Sequence, residues 1–220
     1  MFTDSCRCIS VLVRGYVFSD FDENKLMQSS SFDFGSAETR FVFDESRFQQ
    51  NFFQLFDLPE SYRLDNALLD QKFHALQSLI HPDKFVHRSE AERRMSMQWA
   101  TRVNEAYQTL RDPLARARYL LALRGVDTQE ETNTAMPTDF LMEQMEWREA
   151  IEEAQQSSDA GELDKLEARL QHEMRLLQEL LAVKIDDSHD YAVAADGVRK
   201  LKFMGKLAEE ISSAFDEIDM

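Results

Sequence analysis

The chain has 220 residues, 43% of them hydrophobic and 30% charged, which is an ordinary composition for one or two globular domains. Its formal net charge of -16 is uneven: residues 51–125 carry 11 Lys and Arg against 9 Asp and Glu, whereas residues 126–220 carry 9 against 24. Because so acidic a segment repels a phosphate backbone, the composition argues against nucleic-acid binding. A slightly basic middle and an acidic end indicate two surfaces with different partners.

Residues 1–50 show no sustained hydrophobic period and predict a poorly ordered extension. Cys6 and Cys8 are too close together to link distant parts of a fold, and no further ligands lie nearby, so we expect neither a disulfide staple nor a metal site. The apolar run at residues 9–13 is too short for a signal sequence or a membrane span, so the chain is predicted to be cytoplasmic. Met27 is an alternative start of the natural protein, which mass spectrometry of its N-terminus tests.

A first helical domain is predicted over residues 51–125. It begins with a short helix that ends at Pro59 and is crowded with large apolar residues, namely Phe52, Phe53, Leu55, Phe56 and Leu58. Asp65 is expected to cap a second, longer helix. Apolar residues recur along this helix at steps of four, three and four, the period of a helix with one buried face: Leu69, Phe73, Leu76 and Ile80.

A rigid corner follows the second helix. Pro82 ends that helix because its ring removes a donor and moves the preceding residue, His81, out of helical space. An imidazole and the carboxylate of Asp83, two residues apart, suit an exposed recognition loop better than a core. Beyond the corner, Ser89 and Glu92 predict a capping box, so the corner joins two antiparallel helices. The second of these carries the stripe Met95, Trp99, Val103, Ala106 and Leu110.

The remaining chain predicts one more short helix, a linker and a helical bundle. Asp112 and Pro113 start the short helix, which runs to Gly125. Residues 126–137 are polar and end in a proline, which is typical of a linker. Over residues 138–220 the sequence predicts three helices joined by short loops, and therefore an antiparallel three-helix bundle. Their stripes include Leu163, Leu166, Leu170, Leu177 and Leu181 in the second helix, and Ala194, Val198, Leu201, Ala208 and Phe215 in the third.

The first bundle helix has two apolar faces. At 100 degrees per residue one face carries Phe140, Trp147, Ile151 and Ala154. The opposite face carries Leu141, Met142, Met145, Glu146 and Glu149. Phe203 likewise lies off the stripe of its own helix. Two apolar faces on one helix require two partners, and the second partner is either another protein or the first helical domain of this chain.

Five blocks of residues, in this order, resemble the HscB family, the J-domain co-chaperones of iron-sulfur cluster assembly: residues 52–58, His81-Pro82-Asp83-Lys84-Phe85, Asn104-Glu105-Ala106-Tyr107-Gln108-Thr109-Leu110, Phe140-Leu141-Met142-Glu143-Gln144 and Arg199-Lys200-Leu201-Lys202-Phe203. The resemblance covers about residues 52–217. It implies an all-α fold in which an N-terminal J-domain, a helical hairpin with a His-Pro-Asp loop, joins a C-terminal antiparallel three-helix bundle in an L shape.

The resemblance also implies partners and site residues. The J-domain would dock on a heat-shock ATPase of the HscA type and stimulate its ATP hydrolysis through His81, Pro82 and Asp83. Positive steering would come from Lys84, His87 and Arg88. The C-terminal bundle would bind the cluster scaffold IscU through Leu141, Met142, Met145, Glu146, Glu149 and Phe203. The family resemblance implies no cofactor and no catalytic residue of the chain's own.

The sequence departs from many J-domains in two places. The helix before the corner often carries a basic face, but here Lys72 is its only Lys or Arg, against Asp65 and Asp70, so steering by that helix is expected to be weak. Ile80 stands where an aromatic residue often precedes the corner, which we interpret as a packing change. No Gly/Phe-rich segment and no zinc-binding cysteine set follows the J-domain.

Other interpretations predict different experimental results. His81 and Asp83 have no accompanying nucleophile or phosphate-binding glycine loop, so an enzyme is not predicted. His189 and Asp190 are expected in a capped turn and the remaining histidines, His74 and His172, on the surface. A structural helical interaction protein, in which the corner is only a turn, is the main alternative. An oxidoreductase or cluster carrier that uses the two cysteines would be coloured or loaded with metal when purified.

Overall fold

The computed structural model describes residues 45–128 and 138–218, and both ranges are helical, which confirms the predicted all-α class. The first range contains α1 (Glu45–Phe48), α2 (Phe52–Leu55), α3 (Asn66–Ile80), a 3-10 turn (Pro82–Phe85), α4 (Glu90–Arg111) and α5 (Pro113–Leu123). The second contains α6 (Thr138–Gln156), α7 (Ala160–Ala182), a π-helical turn (Val183–Asp187) and α8 (Tyr191–Ile218). None of these helices is long and apolar enough to cross a membrane.

A described helix, α1, lies before Asn51, where the sequence predicted the first ordered residue. In α1, the ring of Phe48 packs edge-on against Trp99 with 5.3 Å between centroids. Arg102 lies over the same Phe48 ring and donates from Nη2 to the carbonyl of Gln50 at 2.7 Å. Aromatic packing and this hydrogen bond therefore hold a stretch that the hydrophobic pattern alone does not single out. Residues 1–44, with both cysteines and Met27, lie outside the described residues.

The predicted helix starts are confirmed by their caps. Asp65 accepts the N–H of Ala67 at 2.9 Å, and Asp112 accepts the N–H of Ala115 at 2.7 Å. α2 ends differently from the prediction. It stops at Leu55, and Asp57 takes a left-handed conformation with φ of 50°, so the end of this helix does not depend on Pro59.

α3 and α4 form the predicted antiparallel hairpin. Near the end of α3, Ile80 faces Ser96, while further back Phe73 stacks on Tyr107 with 4.0 Å between centroids. The hydroxyl of Tyr107 also donates to Asp70 at 2.8 Å. Large buried side chains fill the space between this hairpin, α2 and α5, namely Phe53, Phe56, Leu69, Leu110, Leu120 and Leu121.

α6, α7 and α8 form the predicted three-helix bundle. α6 and α8 run in the same direction, because Phe140 faces Phe203 at one end and Arg148 pairs with Glu210 further along. α7 returns between them. Gly197 of α8 meets Leu181 so closely that a Cβ atom would lie 2.9 Å from the Leu181 Cδ2 atom. The bundle core consists mainly of Phe140, Trp147, Ile151, Leu163, Leu166, Leu170, Leu207 and Ile211.

The first group of helices, α2 to α5, and the bundle are in direct contact. α5 packs against α8, and the π-helical turn contacts the segment before α3. Of the predicted linker, residues 126–128 are described, and Thr128 accepts a hydrogen bond from Arg199 Nη1 at 2.8 Å. The rest of the predicted linker, residues 129–137, lies outside the described residues.

Candidate functional site

The His-Pro-Asp corner is a preformed, exposed turn. α3 ends at Ile80, and Pro82 occupies the first position of the 3-10 turn, where a missing N–H costs nothing. The N–H of Asp83 donates to His81 Nδ1 at 3.3 Å, and the N–H of Lys84 donates to the His81 carbonyl at 3.0 Å. Because Nδ1 accepts, Nε2 is the N–H donor of the neutral ring. The corner therefore presents an imidazole N–H donor and a carboxylate acceptor to solvent.

Two buried contacts hold this corner in position. The Ser96 hydroxyl of α4 donates to the carbonyl of Ile80 at 2.6 Å, and both residues are buried. Phe85, at the end of the 3-10 turn, is buried as well. Ile80 is thus a packing residue, which agrees with its interpretation from the sequence. The main chain on both sides of His81 is held by the hairpin core. The exposed side chains of the corner are therefore attached to a fixed backbone.

The start of α4 is closed by the predicted capping box. The carboxylate of Glu92 accepts from the Ser89 N–H at 2.9 Å and from the Ser89 hydroxyl at 2.6 Å. Between the corner and this cap, Lys84, His87 and Arg88 are all exposed. The predicted steering residues are therefore accessible to a partner, and their contact with one stays a prediction.

The two-faced character predicted for α6 is confirmed. Phe140, Trp147, Ile151 and Ala154 are buried in the bundle core. The opposite face is open: Leu141, Met142 and Met145 are between 44% and 62% exposed, and Glu146 and Glu149 are exposed beside them. The alternative in which these apolar residues pack against the first domain of this chain is therefore wrong. They form an apolar patch bordered by acids, which we call the α6 outer face.

Phe203 occupies a different environment from the other five predicted scaffold contacts. It lies off the stripe of Ala194, Val198 and Leu201, as expected, but it is only 9% exposed. Its ring packs edge-on against Phe140 with 5.4 Å between centroids, and Arg148 lies over it at 5.4 Å. Two side chains of α6 therefore pack on the Phe203 ring. The residue therefore supports the helix that carries the α6 outer face and exposes little area of its own.

The sequence reasoning missed a polar clamp between the two helical parts. Asp186 of the π-helical turn accepts hydrogen bonds from Ser61 Oγ at 2.8 Å, Tyr62 N at 2.7 Å and Arg63 N at 2.9 Å. Arg63 also forms a bidentate pair with Asp187 at 2.8 and 2.7 Å, and this hydrogen bond lowers the pKa of Asp187. No local pattern reveals this clamp, because its two sides lie more than 120 residues apart.

A buried polar pair lies beneath the clamp. Tyr62 is buried and Arg116 of α5 lies over its ring at 5.2 Å. Burial raises the pKa of Tyr62 to about 12 and lowers the pKa of Arg116. Arg116 donates from Nη1 to the Leu110 carbonyl at 2.9 Å, whereas the Tyr62 hydroxyl has no hydrogen-bond partner within the described ranges. The pair joins the segment before α3 to α5, and its role is structural.

The remaining histidines of the described ranges lie at the surface or in turns. His74 and His172 are exposed, as predicted. His189 lies in the turn before α8 with φ of 53°, and its Nδ1 atom lies 2.8 Å from the Ile185 carbonyl. Asp190, next to it, accepts the Val193 N–H at 3.4 Å. Within residues 45–128 and 138–218, no three His, Cys, Asp or Glu side chains are grouped so as to hold a metal ion.

The exposed His-Pro-Asp turn between antiparallel helices identifies the helices α2 to α5 as a J-domain. The HSCB C-terminal oligomerisation domain family model matches residues 136–212. The co-chaperone protein HscB homolog of Aromatoleum aromaticum is 52% identical over 171 residues, which cover 78% of this chain and 97% of that protein. The homolog of Ralstonia nicotianae is 50% identical over 167 residues, which cover 76% and 95%. The chain therefore belongs to the HscB family of co-chaperones.

Solved structures agree with this assignment. The chaperone HscB from Vibrio cholerae is 39% identical with a TM-score of 0.69, and the match covers 77% of this chain and 99% of that one. The human co-chaperone protein HscB is 31% identical with a TM-score of 0.71, and the match covers 74% and 81%. The chain is thus a J-domain co-chaperone, and its membership of the HscB family gives it a role in iron-sulfur cluster assembly.

Proposed function

We propose that this chain stimulates ATP hydrolysis by an HscA-type heat-shock ATPase through His81, Pro82 and Asp83, and that it delivers an IscU-type scaffold bound to its C-terminal bundle. The observation that carries the proposal is the exposed corner, whose backbone is held by buried contacts while its imidazole and carboxylate remain open to a partner. The chain itself performs no hydrolysis in this scheme; the nucleotide and its reaction belong to the partner.

The corner acts by differential binding. A co-chaperone accelerates a partner only if it binds the hydrolysis-competent state of that partner more tightly than the resting state. A turn that is fixed before binding costs little conformational entropy on docking, so more of its binding energy is available for that discrimination. His81 contributes a donor and Asp83 an acceptor, while Lys84, His87 and Arg88 attract an acidic partner surface.

Scaffold binding is assigned to the α6 outer face. Leu141, Met142 and Met145 supply apolar area, and methionine side chains adapt their shape to a partner. Glu146 and Glu149 border that area and discourage docking of unrelated acidic surfaces. Phe203 acts beneath this face by holding α6 through Phe140. The bundle would therefore bind the scaffold through one helix and keep that helix in place through another.

Steady-state ATP turnover of the cognate heat-shock ATPase tests both halves of the proposal. We expect the native chain to accelerate turnover, and the scaffold to add to the effect. His81→Gln should abolish the acceleration without loss of helical content. His172→Gln, the same change at an exposed histidine of α7, should behave like the native chain. If native and His81→Gln proteins act alike, the corner is only a turn and the proposed function is wrong.

A further inference from the structure

The helix before the corner offers little positive charge to a partner. Lys72 is the only Lys or Arg of α3, and it is half-buried. Of the two nearby acids, Asp65 caps the helix and Asp70 accepts the Tyr107 hydroxyl. The exposed residues in the middle of α3 carry no fixed positive charge: Gln71, His74, Ala75 and Ser78. A partner that approaches the corner therefore meets the positive charge of the J-domain somewhere other than α3.

The first two turns of α4 lie directly beside the corner. The Ser96 hydroxyl reaches the Ile80 carbonyl, one residue before His81, at 2.6 Å. Arg93 precedes Ser96 by three residues and Met97 follows it by one, so both lie on helix positions next to this contact. Arg93 and Met97 are four residues apart and share one face of α4. That face continues from the corner along α4, on the side next to α3.

This face has the composition of a binding surface. Met97 is 60% exposed and Val86, in the corner, is 55% exposed, which makes them the most exposed large apolar residues described in the J-domain. The guanidinium of Arg93 has neither a carboxylate nor a hydrogen-bond partner among the described residues. Arg94 beside it is 3.6 Å from Glu90. Methionine and arginine are enriched at protein interfaces, where an adaptable apolar side chain lies beside a charge that steers docking.

We propose that the heat-shock ATPase is bound along this surface, formed by Val86, Arg93 and Met97, and that α3 contributes little to docking. The inference rests on the proposed function and adds to it the direction in which the contact extends from the corner. The complementary partner surface is an apolar recess bordered by carboxylates, because it must cover Val86 and Met97 while it pairs with Arg93. In this chain the positive charge next to the corner lies mainly after it, between Lys84 and Arg94, because α3 carries only Lys72.

The test compares four single variants in the ATP turnover assay, each titrated against the cognate heat-shock ATPase. Arg93→Glu and Met97→Ser alter the proposed surface. Lys72→Glu alters α3, the helix that is proposed to contribute little to docking. Lys165→Glu reverses an exposed charge of α7 and controls for the change in net charge. Circular dichroism and thermal unfolding establish that each variant is folded.

We expect Arg93→Glu and Met97→Ser each to raise the concentration for half-maximal stimulation by about 5-fold to 30-fold, the loss typical of one interface anchor, with maximal stimulation retained. Lys72→Glu and Lys165→Glu should stay within about 2-fold of the native value, as expected away from an interface. Arg93→Glu should also flatten the salt dependence of stimulation. Native-like values for both Arg93→Glu and Met97→Ser would overturn the inference, and so would an equal or larger effect of Lys72→Glu.

His81→Gln separates this inference from the function on which it rests. If that variant loses stimulation while the Arg93 and Met97 variants behave like the native chain, the corner acts on the ATPase but the docking direction is wrong. If the native chain itself gives no stimulation, the proposed function is wrong and the inference is wrong with it.

Discussion

The carboxylate of Asp186, in the π-helical turn before α8, accepts the backbone N–H of Tyr62 at 2.7 Å. The same carboxylate accepts from the hydroxyl of Ser61 and the N–H of Arg63, so three donors of the segment before α3 converge on one side chain of the bundle. The Asp186 side chain is largely buried at this contact. A charged acceptor with three donors is a strong contact, because charge-assisted hydrogen bonds exceed neutral ones. Asp186 thus ties the J-domain to the bundle.

Removal of this acceptor should weaken the whole chain. Asp186→Ala leaves two backbone donors and a hydroxyl without their acceptor, and we expect the free energy of unfolding to fall by about 2 to 4 kcal/mol. Asp187→Ala removes only the exposed pair with Arg63 and should have a much smaller effect. Urea denaturation followed by circular dichroism measures both. Equal losses for the two variants would show that Asp186 has no special role.

A second prediction concerns the support of the corner. Ser96→Ala removes the buried hydroxyl that donates to the Ile80 carbonyl, so we expect a loss of about 1 to 2 kcal/mol in the free energy of unfolding. Stimulation of the ATPase should then need a higher concentration of the chain. Ser78→Ala removes an exposed hydroxyl of α3 that bonds within its own helix, and it is the matched control. A native-like Ser96→Ala protein in both assays would exclude this supporting role.

Local patterns in the sequence were sufficient to predict most of the fold. Asp65, Ser89 and Asp112 cap their helices as expected, because a cap is decided by residues within one turn. The two faces of α6 also follow from its period alone. The helix α1 was not predicted, because Phe48 and Arg102 meet across more than 50 residues and no window of sequence contains both.

For the candidate site too, local patterns predicted some residues, and long-range packing decided the others. His81 and Asp83 were found because a proline and two polar residues define the corner locally. The burial of Phe203 was not predicted, since it depends on how α6 lies across α8, which the period of either helix leaves open. The Asp186 clamp was missed for the same reason. The sequence around Asp186 predicts only a carboxylate in a turn, because the groups that donate to it lie in a distant segment.

A third prediction follows from the raised pKa of Tyr62. In the unfolded chain this phenol titrates near pH 10, whereas burial holds its pKa at about 12 in the folded chain. Between these pH values the unfolded chain releases a proton that the folded chain retains. The contribution of Tyr62 to the free energy of unfolding is therefore constant below pH 10 and falls as the pH rises above 10. One such group contributes a slope of up to about 1.4 kcal/mol per pH unit.

Tyr62→Phe isolates this contribution. The Tyr62 hydroxyl has no hydrogen-bond partner within the described ranges, so the variant should lose less than about 1 kcal/mol at pH 7. Between pH 10 and 11 its stability should fall less steeply than that of the native chain. A slope remains, because the pKa values of Tyr107 and Tyr119 are also raised. Urea denaturation at pH 7, 10 and 11 gives the comparison, and parallel losses in both proteins would contradict the assignment.

The last prediction separates contact from support at the α6 outer face. Leu141→Ala and Met145→Ala truncate exposed side chains, so each should weaken scaffold binding by about 1 to 2 kcal/mol and leave the unfolding free energy nearly unchanged. Phe203→Ala removes a ring packed on Phe140, so it should lower the unfolding free energy by about 3 to 5 kcal/mol.

Leu176→Ala, at an exposed leucine of α7, is the matched control for the two exposed truncations. Calorimetry with the scaffold gives the affinities, and urea denaturation gives the stabilities. Native affinity in both the Leu141 and Met145 variants would remove scaffold binding from the α6 outer face. A stable Phe203→Ala protein with weakened binding would instead make Phe203 a direct contact, because its effect would then not pass through the packing of α6.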